Sequence, residues 1–485
     1  MREAPDRTDS APLLIILVLG FSSMCAALMQ SLVIPIQPDL PRLLDTGPSN
    51  AAWVVTATLL AGGVAMPVSG RIADISGRKP VLVASALILL VGSLVCALSS
   101  SIVPVLVGRV LQGLAMGYIP VAISFVREIV PPTMQNSAVA GISATLGVGG
   151  ALGLPLAAWL AQDFDWHALF WVSAVLAAAM AVLSVVVLPH RAPVDDSRLD
   201  SVGAIGLTVG VVGVLGGISK GGDWGWTAPT TLGAILGGFA VLIAWGFYET
   251  RHPHPLVDLR TTARRPVLLT NITALLIGFG MMAQSIVVPQ LLQLPESTGY
   301  GLGQSILQAG LWMAPAGLMM LVFTPISGRM LTRLGGRATL ASGAVVIAAG
   351  YLLAAFFADS PWQLLLSTCV ASAGVGIGYA AMPTLILENS PASEAGAGVG
   401  VNALMRSMGT TVAGAVMALV LTSRVTELGG GLQIPAVEMF HLCFLLGAGA
   451  ALAGAAVVLC IRRPGSPGGP EAPHQQMAEE LVRAR

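Results

Sequence analysis

Apolar residues occur in this chain in long blocks rather than in alternation. About 20 mostly apolar residues span the hydrocarbon core of a bilayer as one helix. Fourteen such runs can be counted, at 13–35, 50–70, 80–98, 103–126, 138–161, 167–188, 201–218, 230–249, 267–291, 306–328, 336–357, 362–385, 397–421 and 439–461. The run 201–218 is the shortest. Its glycines are compatible with helix because lipid forces the backbone to satisfy its own hydrogen bonds. Charged stretches at 189–200 and 249–266 divide the series into six, two and six. The pattern predicts an all-α polytopic membrane protein. Its parts are an N-terminal segment 1–12, a six-helix bundle over 13–188, two additional helices over 201–249, a second six-helix bundle over 267–461, and a tail over 464–485. The tail is rich in Pro and Gly and is expected to be disordered.

The two bundles are copies. Pro67-Val68-Ser69-Gly70-Arg71 returns 258 residues later as Pro325-Ile326-Ser327-Gly328-Arg329, and Gly335 and Arg337 fall on Gly77 and Lys79. Gly113-Leu114-Ala115-Met116-Gly117-Tyr118 returns at offset 261 as Gly374-Val375-Gly376-Ile377-Gly378-Tyr379. Parallel halves of six helices are a transporter plan, with the substrate site between them near the membrane midplane. One difference matters: Thr332 stands where the first copy has Asp74.

Composition narrows the picture further. The chain is 55% hydrophobic and 10% charged, against about 25% charged in soluble proteins. Formal net charge is zero, so no basic field points to nucleic acid. Arg and Lys fall 19 to 3 in favour of the loops on the side of the N-terminus, with Arg109 and Arg406 inside runs. Basic residues favour cytoplasmic loops, so both termini are expected to be cytoplasmic. The first run is too long for the apolar segment of a cleaved signal and reads as a retained helix. The five cysteines are odd in number, lie in apolar runs and lack CxxC spacing, which argues against disulfides or a metal site. His252-Pro253-His254 has no cysteine or carboxylate cluster beside it in the sequence. No G-x-x-x-x-G-K-S/T loop is present, so energy is expected from a gradient rather than from ATP. No cofactor and no metal are expected.

Gly70-Arg71-Ile72-Ala73-Asp74-Ile75-Ser76-Gly77-Arg78-Lys79 resembles the G-x-x-x-D-x-x-G-R-K loop of the major facilitator superfamily. Arg109-Val110-Leu111-Gln112-Gly113 with Gly117 is similar to the R-x-x-Q-G-x-x-x-G stretch of that superfamily's fourth helix. With fourteen runs, the resemblance is to the 14-helix drug:proton antiporters, over about residues 11–463. It implies alternating access in a cell membrane. The basic residues are nearly all arginine, with lysine only at Lys79 and Lys220, and Ala, Gly and Val are abundant. That bias points to a GC-rich bacterial genome and so to a bacterial cytoplasmic membrane. The resemblance also has two departures. Met29 stands where those antiporters carry an Asp in the first helix. The fifth-helix G-x-x-x-G-P-x-x-G-G signature survives only in part, as Gly149, Gly153 and a displaced Pro155, a set read as helix packing.

Candidate residues follow from polarity inside apolar runs. Gly70, Asp74, Gly77, Arg78, Arg127 and Glu128 gather at the cytoplasmic ends and read as a gate or latch. No acidic residue falls at mid-membrane, which leaves Glu128, then Asp39, then Asp74, to carry a coupling proton. Glu128 equally fits a simple ion pair. An intramembrane arginine is costly enough to be functional by default. Arg109 therefore reads either as a fixed charge facing a central cavity and biasing proton acceptors, or as a charge bonded to backbone carbonyls. Arg406 reads either as a contact for an anionic substrate group or as a partner for a helix end. Gln30, Ser31, Gln112, Tyr118, Asn271, Gln284 and Gln290 complete a candidate cavity, with methionines such as Met29, Met116 and Met320 as adaptable walls.

The expected function is a non-enzymatic secondary transporter, working as a monomer, that exports lipophilic drugs or metabolites against protons. Neutral, zwitterionic or anionic substrates are favoured over dications. The alternatives are a lipid or amphipath transporter, an importer on the same scaffold, and a non-transporting membrane sensor.

Overall fold

The structure, a computed structural model, describes residues 11–34, 36–37, 39–193, 197–428 and 432–461. The tail 464–485, and the N-terminal segment up to residue 10, lie outside the described residues. Thirteen helices among the described residues are long and apolar enough to cross a membrane. They are α1 (Pro12–Ser31), α2 (Pro48–Ser76), α3 (Arg78–Ala97), α4 (Ile102–Ile129), α5 (Pro132–Asp163), α6 (Ala168–Val187) and α7 (Ser201–Trp224). The rest are α8 (Pro229–Glu249), α9 (Arg265–Gln293), α10 (Ile306–Phe356), α11 (Pro361–Asn389), α12 (Ala392–Ser423) and α13 (Val437–Leu459).

Local sequence explains where helices start and stop. Prolines open α2, α5, α8 and α11, where the missing N–H is no loss. Asp200 caps α7 by accepting from Gly203 N at 2.9 Å. Ser305 and Gln308 form a capping box at the start of α10. At Gly77 the backbone takes φ 87° and ψ 151°, which ends α2 and starts α3 with no other residue between them.

The second copy of the motif reproduces this turn. Gly335 lies inside the 51-residue α10 with φ 78° and ψ 166°. A straight helix of that length would measure about 77 Å, more than twice the hydrocarbon core of about 30 Å. α10 is therefore two arms, 306–334 and 336–356, that break at Gly335. The sequence predicts two separate runs, 306–328 and 336–357. They are joined without a loop because one glycine in a positive-φ conformation suffices for the turn.

Packing follows the repeat. In the first half α1 lies on α5 and α6, α2 on α4, and α3 on α4 and α6. In the second, α9 lies on α12 and α13, and α10 on α11 and α13. Two seams join the halves, α2 against α12 and α5 against α10. The 258-residue offset exchanges these seams, carrying α2 onto the first arm of α10 and α5 onto α12. The pair α7–α8 sits outside this plan. α7 packs on both α2 and α12, through Leu60 and Val64 of α2, Leu207, Val211 and Leu215 of its own, and Leu404 of α12. α8 rests on α7 and turns Leu236, Phe239, Ile243 and Phe247 outward. Exposed apolar residues on α1, α3, α6 and α7 continue that surface, which suits acyl chains as solvent.

Two features lie outside the sequence expectation. The stretch between α12 and α13, read as loop, forms an antiparallel hairpin of β1 (Val425–Leu428) and β2 (Leu432–Pro435). α4 carries a 3₁₀ turn at Ala115–Gly117, between its two α-helical segments.

Candidate functional site

The α2–α12 seam closes at the end of the bundle that carries Gly77. A Cβ on Gly70 would overlap the backbone of Gly396, so the two helices touch backbone to backbone there. One turn on, the seam becomes electrostatic. Asp74 is fully buried, and its Oδ1 accepts from Gly396 N at 3.0 Å while its Oδ2 accepts from Ala397 N at 3.0 Å. Both N–H groups belong to the first turn of the α-helical part of α12, where backbone donors lack intrahelical partners and the helix dipole favours an anion. Asp74 thus caps a helix of the opposite half.

The carboxylate has a second set of partners in its own half. Arg78 Nη2 donates to Asp74 Oδ1 at 3.0 Å, and Arg78 Nε donates to Ser124 Oγ of α4 at 3.2 Å. The remaining arm of the Arg78 guanidinium pairs with Glu128. Isolated buried charges are costly, and they persist when paired and fully hydrogen-bonded. Next along α4, Arg127 is near enough to Glu388 of α11 for the two opposite charges to attract across the halves, without a described ion pair between them. Arg71 donates to Ser393 O at 3.4 Å and to Ser197 Oγ at 3.0 Å, tying α2 to the start of α12 and to the strand of chain before α7. A cavity of about 200 Å³ opens beside these groups, lined by Arg71, Asn271, Ser390, Glu394 and Ala397 among others.

Among the described residues the other seam has no such device. Thr332 Oγ1 donates within its own helix, to Arg329 O at 2.9 Å. A Cβ on Gly328 would meet Ser137 Oγ at 3.2 Å, so the contact is looser than at Gly70. The turn is duplicated and the charge partner is not.

Arg109 takes the second of its two expected environments. Its buried guanidinium donates to Val54 O at 2.9 Å and to Gln112 Oε1 at 2.7 Å, and Gln112 Nε2 donates to Ser93 Oγ at 2.9 Å. This chain ties α2, α3 and α4 together. Tyr118 is likewise buried, its hydroxyl 3.3 Å from Ser184 Oγ of α6. Ser31 donates to Leu28 O at 3.0 Å. A side chain on Gly153 would collide with Ser31, and one on Gly149 with the α1 backbone, so both glycines hold α5 against α1. Pro155 packs on Gly310 of α10, at the other seam.

In the second half, Asn271 Oδ1 accepts from Asn402 Nδ2 at 3.0 Å. Asn402 is absent from the sequence-based set, although an asparagine one turn before Arg406 in an apolar run is a legible signal. Gln284 donates to Ser372 Oγ at 3.3 Å, Gln290 is exposed and Gln30 is half-buried. Arg406 is half-buried, and its guanidinium carbon lies 4.4 Å from the centroid of the Tyr379 ring. Asp39 is exposed and sits 3.8 Å from Arg42, so it is not brought to the cluster around Asp74.

Comparison with known proteins agrees with this architecture. The sequence model of the Major Facilitator Superfamily matches residues 19–320 and 270–484. A multidrug resistance protein B homolog of Mycobacterium tuberculosis is 30% identical over 394 residues, 79% of this chain and 71% of its own. The tetracenomycin C resistance and export protein of Streptomyces glaucescens is 26% identical over 85% of this chain and 76% of its own. Among solved structures, the human organic anion transporter MFSD10 superposes with a TM-score of 0.67 over 92% of this chain and 99% of its own, at 16% identity. That last likeness establishes the fold alone. The family model matches most of the chain and the Mycobacterium tuberculosis relative is covered to more than two thirds, so the chain belongs to the major facilitator superfamily of membrane transporters.

Proposed function

We propose that this transporter exports lipophilic drugs or metabolites from the cytoplasm of a bacterial cell, coupled to protons, by alternating opening of its two ends. The observation that carries the reading is Asp74, whose buried carboxylate holds the first turn of α12 across the seam. Export accords with the names of the multidrug resistance and antibiotic export relatives. With the arginine-rich loops cytoplasmic and the break at Gly335 counted as a turn, the chain makes fourteen crossings with both ends inside. The Asp74 cluster then closes the cytoplasmic end and holds the outward-open state.

Opening that end requires α2 and α12 to part, which strips Asp74 of two backbone donors. Glu128 is placed to trigger this, because it shares Arg78 with Asp74 and is about one-fifth exposed. A proton on Glu128 frees Arg78 from one of its two anions and loosens the arrangement on the N-terminal side. Arg109 supports the reading by fixing α2, α3 and α4 as one rigid body. Purified protein in liposomes tests coupling directly: an imposed pH gradient is expected to drive uptake of a lipophilic dye in the direction opposite to protons. Dye movement indifferent to the gradient would sink proton antiport.

A further inference from the structure

The two intramembrane arginines differ in kind. Arg109 is buried and hydrogen-bonded within the first half, to Val54 O and Gln112 Oε1. Arg406 is half-buried, and among the described residues its side chain makes no ion pair and no hydrogen bond, only the face-on contact with Tyr379. It lies near the middle of α12, 14 residues from Ala392 and 17 from Ser423, about 21 Å and about 26 Å of rise, which sets it well inside a core of about 30 Å when the helix is centred in the bilayer. A half-exposed guanidinium at that depth without a counter-ion is energetically expensive unless something else completes it.

The direction of this side chain follows from its neighbours. Leu404 and Ser407 lie against Gly63 of α2, while Gly409 packs on Leu275 and the Arg406 backbone packs on Gly278 of α9. Ala403, one turn before Arg406 and so on the same face, joins Met66 of α2 and Met116 of α4 in a small apolar cluster. That cluster bridges the two halves. Arg406 therefore rises from a backbone clamped to α9 and sits one turn beyond a methionine-lined contact between the halves, with an aromatic face from α11 beside it.

We propose that Arg406, with the Tyr379 ring and the Met66–Met116–Ala403 cluster, forms a recognition point for anionic aromatic or lipophilic molecules. The inference rests on the export reading and names its substrate class. The guanidinium offers paired donors that match a carboxylate or phenolate. Tyr379 holds it by cation–π attraction until the anion arrives, and the ring then remains as a stacking face. Methionine adapts to varied apolar shapes, so the charge is recognised strictly and the remainder loosely. The same helix carries the Asp74 contact ten residues earlier, about 15 Å away. Charge neutralisation at Arg406 and release of Gly396 and Ala397 are thus two events on one rod.

The test uses the full-length protein in liposomes with two fluorescent probes, 1-pyrenebutyrate and its uncharged methyl ester, and reads the ratio of acid to ester transport. Wild type is expected to prefer the acid. Arg406→Gln is expected to lower the ratio at least about tenfold, the equivalent of about 1.4 kcal/mol of lost recognition. Arg406→Lys keeps the charge and is expected to fall between them, while Tyr379→Leu keeps the acid preference and slows both probes. An unchanged ratio in Arg406→Gln, or equal loss of both probes, would make Arg406 structural and overturn the inference. Wild type that moves the ester but not the acid would overturn the inference and leave export standing. Wild type that moves neither would refute the export reading itself, and the inference with it. If Arg406→Gln does not fold, Arg406→Lys and Tyr379→Leu decide alone, and acid and ester rates changed equally by Lys would overturn the proposal.

Discussion

Asp74→Asn removes one charge from the seam and preserves its shape. Asp74 Oδ1 and Oδ2 each accept one backbone N–H from α12, both at 3.0 Å. A hydrogen bond to a charged group contributes roughly 1.5–3 kcal/mol against roughly 0.5–1.5 for a neutral one, and an orphaned buried donor costs about 1–3. Asparagine keeps one acceptor and turns an NH₂ toward a second donor, so one cross-seam bond weakens and the other is lost. The Arg78 contact lies within one half and largely cancels between open and closed states. The closed seam should lose about 2–4 kcal/mol relative to the open one, a population shift of roughly 30- to 700-fold. Maleimide labelling of a cysteine at Val401, a half-buried position farther along α12, would read the opening. We expect Asp74→Asn to accelerate labelling at least about tenfold and to weaken transport, with normal expression and monodisperse elution. Wild-type labelling and full transport in this variant would reduce the motif to a turn and refute the latch.

Other perturbations separate the two seams and the two functions of the charge cluster. Gly70→Ala should disable transport, because the added methyl overlaps the Gly396 backbone and overpacking costs about 1–3 kcal/mol. The equivalent Gly328→Ala, facing Ser137 Oγ at 3.2 Å, should keep most of its activity, and equal damage at both sites would contradict the asymmetry. Glu128→Gln is expected to abolish stimulation by a pH gradient while leaving the protein folded, and stimulation that survives would confine Glu128 to the ion pair with Arg78. Asn402→Leu orphans Asn271 inside the α9–α12 contact, so melting in detergent should fall in line with a loss of about 1–3 kcal/mol. An unchanged melting temperature would mean that water already serves Asn271.

Much of the architecture was legible in the apolar runs, because lipid leaves helices as the way to cross and length then sets the count. The repeat was legible for a related reason: Gly77 and Gly335 need the same positive-φ backbone, so the same residue recurs. Asp74 stood out as a carboxylate at the end of an apolar run, yet its partners did not. Gly396 and Ala397 act through backbone N–H groups, which any residue but proline offers, so side-chain identity carried no trace of them. The environment of Arg109 was undecidable from spacing, since Val54 O lies 55 residues away. Conversely, Asn402 could have been found as a buried-polar candidate one turn from Arg406. The hairpin β1–β2 leaves no mark in the apolar pattern, because each of its strands has only four residues.

The latch itself is best tested by distance. Spin labels at Ser76 of α2 and Ala392 of α12, both exposed at the same end of the bundle, would report the seam by pulsed dipolar spectroscopy in nanodiscs. With the native cysteines replaced, the resting transporter should show a dominant short distance, and Asp74→Asn should move population into a longer one. Identical distributions in the two proteins would mean that Asp74 does not hold the halves together.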